Sequence, residues 1–191
     1  MRSAPSYTVK RYVWLISLLV FGIRPLPCAT LEQLNLDDMV AQSTAIVRGT
    51  VVDSWAALTG SIIYTHYRVQ VSESFKGPRQ GSVELVVAGG AVNNLSQSFS
   101  GSPTLNKGDQ FVFFLWTSRA GLTQIMGLTQ GLFAIVPGAS DDPVATRAAT
   151  RELMLDPRTA QPVKDAVLSM RLSDLRSRIA NTLNARQGAS R

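Results

Sequence analysis

The chain has 191 residues, 45% of them hydrophobic and 17% charged, which excludes an intrinsically disordered chain and fits one domain with appendages. Its formal net charge is +6, but Arg2, Lys10, Arg11 and Arg24 all precede residue 30, and the remainder carries a net charge of about +2. Charge therefore gives no argument for a nucleic-acid partner, and the single cysteine, Cys28, excludes an internal disulfide framework.

The first element is a basic start followed by the uncharged apolar run Val13–Ile23, with no acidic residue before Glu32. The run is shorter than the ~20 residues of a membrane span. It is followed by Arg24, Pro25 and Pro27, then by the small residues Cys28, Ala29 and Thr30. This order predicts a secretory signal at residues 1–29, cleaved near Ala29, and no stable membrane span afterwards. Pro25-Leu26-Pro27 lacks the small residue required before a lipidated cysteine. Export without disulfides points to a bacterial envelope protein, periplasmic or extracellular.

From Thr30 to Ser43, loosely helical spacing of Leu31, Leu34, Met39 and Ala41 predicts a short helix with Thr30 as its N-cap. Thr44–Trp55 is rich in β-branched residues and predicts a strand, with Gly49 marking a bulge or bend. Ile62–Phe75 alternates strictly. Ile63, Thr65, Tyr67, Val69, Val71 and Phe75 share one face, and Tyr64, His66, Arg68, Gln70, Ser72 and Ser74 share the other. Lys76–Gly81 reads as a turn and Ser82–Ala88 as the next strand. Gly89–Gly108 is polar and glycine-rich, and its length predicts a functional or mobile loop.

Gln110–Trp116 is apolar on both faces, as a central strand is, and Leu122–Met126 and Leu132–Val136 predict two further short strands. After Pro137 the strand signals cease. Val144–Leu155 can be helical, with Asp142 as cap and Pro143 at the first position. Leu172–Arg186 predicts an amphipathic helix with Leu172, Leu175, Ile179 and Leu183 on one stripe and Ser173 as a possible cap.

Together these elements predict a mainly β fold: a small antiparallel OB-like barrel of five or six strands at residues 30–139, with a short N-terminal helix. A helical C-terminal extension covers residues 140–191. A β-sandwich is the alternative architecture. The stretch "STAIVRGTVVDSW … IIYTHYRVQVSESFKG" resembles the N-terminal barrel of tissue inhibitors of metalloproteinases and related netrin-like domains. There too an Ala/Val/Ile-rich strand precedes a long strand ending in Phe-Lys-Gly. The order "IVRG … IYT … KG … GG … FFL … QG-F" is also similar to that of a broad set of exported bacterial proteins. The resemblance covers roughly residues 40–90 and implies an OB-like barrel. It further implies inhibition of a metalloprotease through a free N-terminal cysteine whose amine and carbonyl chelate the protease zinc. Cys28 would occupy that position only if cleavage followed Pro27, where cleavage is strongly disfavoured, and the family's disulfide cysteines are absent.

The residues supply little chemistry. His66 is the only histidine, so neither a two-histidine metal site nor a second imidazole base is available, and a lone histidine on a polar strand face is usually solvated. No Gly-x-Ser-x-Gly turn is present, and Asp37-Asp38 and Asp141-Asp142 sit where helix caps are expected. Lys76-Gly77 and Gly89-Gly90 lack the spacing of a phosphate loop. The sequence reads as a non-enzymatic exported binding or interaction module with no catalytic residues, metal or cofactor. Its candidate binding surface comprises Trp55, Tyr64, His66, Arg68, Asn93, Asn94 and Phe99. The alternative is an inhibitor or companion of a secreted metalloprotease. The expected partner is a secreted protease or another envelope protein, and no nucleic acid.

Overall fold

The computed structural model describes residues 30–138 and 141–189, so the predicted signal segment and Cys28 lie outside the described residues. The protein is mainly β, with a large antiparallel sheet and two helices. In chain order the elements are β1 (Thr30–Glu32), α1 (Leu36–Gln42), β2 (Ala45–Thr59), β3 (Ile62–Lys76), β4 (Ser82–Ala88), β5 (Gly90–Val92) and β6 (Leu95–Gln97). They continue as β7 (Gln110–Thr117), β8 (Thr123–Ile125), β9 (Leu132–Val136), β10 (Val144–Arg147), β11 (Leu153–Leu155), β12 (Pro162–Val163), β13 (Leu168–Arg171) and α2 (Leu172–Ala189).

Eight strands share one sheet in the order β13-β10-β9-β7-β2-β3-β4, with β8 pairing β7. They do not divide between two stacked sheets, as the sandwich alternative requires. Nor, among the described residues, does the ladder close: β8 lies beside β4 without hydrogen-bonded pairing. Among the described residues the hydrogen-bonded ladder is therefore an open sheet, and no closed barrel is formed. No helix among the described residues is long and apolar enough to cross a membrane.

Alternation in the strands builds two cores, one on each face of the sheet. Leu36, Met39 and Val40 of α1 and Leu172, Leu175 and Ile179 of α2 pack on Ile46, Val112, Phe114 and Phe133. On the opposite face Val47, Val51, Tyr67, Val69, Leu85, Phe113, Leu115 and Ile125 pack against one another. Strand β7 feeds both cores, which is why Val112, Phe113, Phe114 and Leu115 are all fully buried. Full burial of each such side chain is worth about 1.5–3 kcal/mol.

The pairing of β2 with β3 slips at three places, between Ile46 and Val47, Arg48 and Gly49, and Val51 and Asp53. These bulges bend the long hairpin. They also break the strict face assignment of β3. Val71 packs with the second core, but Phe75 packs with the helix-side core rather than sharing Val71's face. Gly49 is required by close approach: a Cβ there would lie 2.5 Å from Val69 Cγ1 and 2.6 Å from the Gln70 carbonyl oxygen.

The ends of the chain depart most from expectation. Thr30 is no cap; Thr30–Glu32 pairs in parallel with Leu153–Leu155, and the α1 cap is Asn35, whose side chain accepts from the Asp38 amide. Residues 144–155 form two strands instead of a helix, because β10 finds partners on both sides in β9 and β13. The predicted helical extension at residues 140–191 is corrected over its described residues, 141–189: β10 and β13 continue the main sheet, and among these residues only α2 is helical. Asp142 does cap a helix, but across the fold. Its Oδ2 accepts from Ser173 Oγ at 2.6 Å and its Oδ1 from the Ser173 amide at 3.3 Å, at the start of α2.

Candidate functional site

Strands β2, β3 and β4 lie side by side, so residues at matching register form rows across the sheet. Asp53 stands opposite Arg68, Trp55 opposite His66, and Ala57 opposite Tyr64. On the other side of β3, Arg68 meets Glu84, His66 meets Val86, and Tyr64 meets Ala88.

The geometry at the centre of this face is specific. The Trp55 indole and His66 imidazole are stacked, with ring centroids 5.2 Å apart and planes 13° from parallel. The Arg68 guanidinium carbon lies 5.2 Å from the Trp55 ring centroid, a cation–π contact worth about 0.5–1 kcal/mol at an exposed site. His66 Nδ1 donates to Glu84 Oε1 at 2.9 Å, and Arg68 approaches Asp53 at 3.7 Å. The last pair is exposed on both sides and contributes little.

His66 is not the solvated side chain that its place on a polar face suggests. Only 15% of its side chain is exposed, and its Nε2 is buried with no hydrogen-bond partner. The stack and the Glu84 carboxylate hold the imidazole flat against the indole. The arrangement is a preorganised row of aromatic and cationic groups bordered by two carboxylates.

Of the seven residues singled out in the sequence, Trp55, His66 and Arg68 come together in this stack, and Tyr64 lies half-buried beside them in the same row pattern. The other three do not join. Residues 89–108 are not one open loop: Gly90–Val92 and Leu95–Gln97 form a hairpin, and Asn93 and Asn94 are its two-residue turn, with φ of 48° and 64°. Positive φ at both central residues is the requirement of the hairpin turn whose twist matches the flanking strands. These asparagines therefore have a backbone task.

Phe99 sits on the other side of the sheet, at a pocket of about 460 Å³ with Thr65, Tyr67, Val87 and Leu105. The hairpin is anchored by Gln97, which accepts from the Ile63 amide at 2.7 Å and donates to the Ser61 carbonyl at 2.8 Å. Gly90, with φ of 134°, lets it pass over β3; a Cβ there would be 2.6 Å from Thr65 Oγ1.

Sequence reasoning missed several polar groups that organise the molecule. Lys76 donates from Nζ to two carbonyls at the end of α1, and burial, reinforced by the charge of Arg186, pushes its ammonium below the usual 10.5. Gln130, 1% exposed, accepts from the Leu34 amide and donates to the Glu32 carbonyl, fixing the N-terminal segment. Arg147 and Asp165 form a buried ion pair at 2.6 Å. Long-range partners of this kind leave no local pattern, although an arginine inside the short β-compatible run 144–147 is a weak signal. Among the described residues no three His, Cys, Asp or Glu side chains cluster as metal ligands. No protein-family model matches the chain, and no curated protein matches it.

Proposed function

We propose that the protein is an exported, non-enzymatic binding module whose recognition face is the outer surface of β2, β3 and β4. The observation that carries this reading is the stack of His66 and Arg68 on Trp55. Trp, Tyr and Arg are the residues that dominate protein–protein hot spots, and side chains already fixed in place lose little conformational entropy on binding. The carboxylates Asp53 and Glu84 give the row a polar border suited to a protein partner in the cell envelope.

The finer fold is OB-like. In favour of this are the β2–β3–β4 meander, the return of β7 to the free edge of β2, and the place of β8 between β7 and β4. The test is a photocrosslinking amino acid at exposed Gln70 on this face, with exposed Asn181 on α2 as the control position, in the cells that export the protein. A discrete crosslinked species from position 70 alone is expected; equal products from both positions contradict the reading.

A second reading, inhibition of a secreted metalloprotease, rests on the same strand connectivity together with the resemblance of residues 40–90 to the inhibitor barrel. Mass spectrometry of the exported protein tests its chemistry: a mature chain beginning at Thr30 or later removes the Cys28 chelation route. Undiminished hydrolysis by a secreted zinc protease in the presence of the protein removes inhibition more generally.

A further inference from the structure

The recess of about 460 Å³ at Phe99 lies between Ser54 of β2, the end of β4 and residues 97–105, on the side of β3 opposite the Trp55 stack. Alternation separates the two places. Ser54 pairs with Tyr67 and Trp55 with His66, so neighbours along each strand face opposite sides. Hydrogen bonds hold the walls: Thr65 Oγ1 donates to the Gly89 carbonyl at 2.8 Å, Gln97 ties residues 61 and 63, and the Leu105 amide donates to the Tyr67 hydroxyl at 3.4 Å.

No aspartate, glutamate, lysine, arginine or histidine lines the recess. The chain from Leu85 to Asn106, which supplies most of the wall, carries no charged residue. The recess offers an aromatic ring and free hydroxyls instead. Phe99 in this lining is 43% exposed. Ser54, Ser98 and Thr104 are exposed as well, and among the described residues their hydroxyls have no protein partner. These groups are accessible to a ligand, whereas the Ser102 hydroxyl is buried and takes no part.

We propose that this recess binds a neutral saccharide, with one face of a sugar ring against Phe99 and sugar hydroxyls bonded to those of Ser54, Ser98 and Thr104. An uncharged lining gives an ionic ligand no counter-charge in exchange for its hydration, so charged ligands are disfavoured. A protein hydroxyl both donates and accepts, as the hydroxyls of a sugar do. A purely aliphatic ligand would leave the protein hydroxyls unpaired. The C–H face of a sugar ring meets the electron-rich face of the phenyl, and covering Phe99 removes apolar area from water. The volume lies within the range of ligand pockets, about 300–1,000 Å³.

The test follows backbone amide resonances of the purified protein during titration with maltose, N,N′-diacetylchitobiose, deacetylated chitobiose and glucuronate. Maltose or N,N′-diacetylchitobiose is expected to shift the Ser98, Phe99 and Thr104 amides saturably, and the cationic and anionic sugars are expected not to. Phe99→Ala is expected to weaken that binding by about tenfold or more, with resonances outside residues 97–105 unchanged as the check on folding. Thr104→Val, at an exposed position, keeps the side-chain shape without the hydroxyl and is expected to weaken it too. Trp55→Ala is expected to leave saccharide binding unchanged, which separates this site from the recognition face. Absence of shifts with both neutral disaccharides, equal shifts with a charged sugar, or undiminished binding by Phe99→Ala overturns the proposal.

Discussion

Lys76 Nζ lies 2.7 Å from the carbonyl oxygen of Val40, and the same ammonium reaches Ala41 at 2.9 Å. The last residue of β3 thus caps the end of α1, where helix carbonyls lack intrahelical partners and a positive charge is favoured. Lys76→Met removes the cap while keeping an unbranched side chain of similar length. A stability loss of about 1–2 kcal/mol is expected in urea denaturation, by analogy with other charged hydrogen bonds. An unchanged midpoint contradicts this role.

The buried pair of Arg147 and Asp165 leads to an asymmetric prediction. Asp165→Asn leaves the arginine charge buried without its counter-ion, with an expected cost of about 3–5 kcal/mol. Arg147→Met/Asp165→Leu removes both charges and is expected to recover most of that loss. Thermal and urea unfolding of both variants distinguish a charge effect from simple loss of packing, which would make the double variant the worse of the two.

The turn at Asn93 and Asn94 predicts a glycine preference. Asn94→Gly suits φ of 64° and is expected to preserve or slightly raise stability, whereas Asn94→Val is expected to lower it by about 1 kcal/mol or more. Crosslinking from position 70 is expected to be the same in both variants, because the turn is not part of the recognition face.

Asp156 gives the pH-dependent prediction. The Thr159 amide, then the Arg158 amide, hold its carboxyl below the ordinary 3.8, against a smaller opposing effect of desolvation. A carboxylate with a lowered folded value stabilises the turn fully above about pH 3.8, and that contribution is lost as pH falls through the lower folded value. Amide resonances of Arg158 and Thr159 followed from about pH 5 to about pH 2 are expected to titrate with a midpoint below 3.8. A midpoint at or above it contradicts the capping geometry.

Much of the fold was legible because local periodicity and burial agree. The alternation of β3 as far as Val71, the doubly apolar β7 and the Leu172–Leu175–Ile179 stripe lie where their patterns place them, whereas the bulges carry Phe75 to the helix-side core. The parts that were not legible depend on distant partners. Val144–Leu155 has a plausible helix start in Asp142-Pro143, but pairing with β9 and β13 overrides it, and Asp142 caps α2 instead. The two asparagines gave a loop signal because their hairpin is only three residues long on each side. The candidate surface was half legible. Alternation puts Tyr64, His66 and Arg68 on one face, but only the β2–β3 register brings Trp55 onto His66. Asp53 and Glu84 enter the site by the same register.

The most direct test of the recognition face combines crosslinking at position 70 with Trp55→Ala in the exporting cells. Removing the indole dissolves the stack that fixes His66 and Arg68, so the crosslinked species is expected to disappear while the amount of folded, exported protein is unchanged. Persistence of the same crosslinked species in Trp55→Ala would contradict the claim that this stack is what the partner recognises.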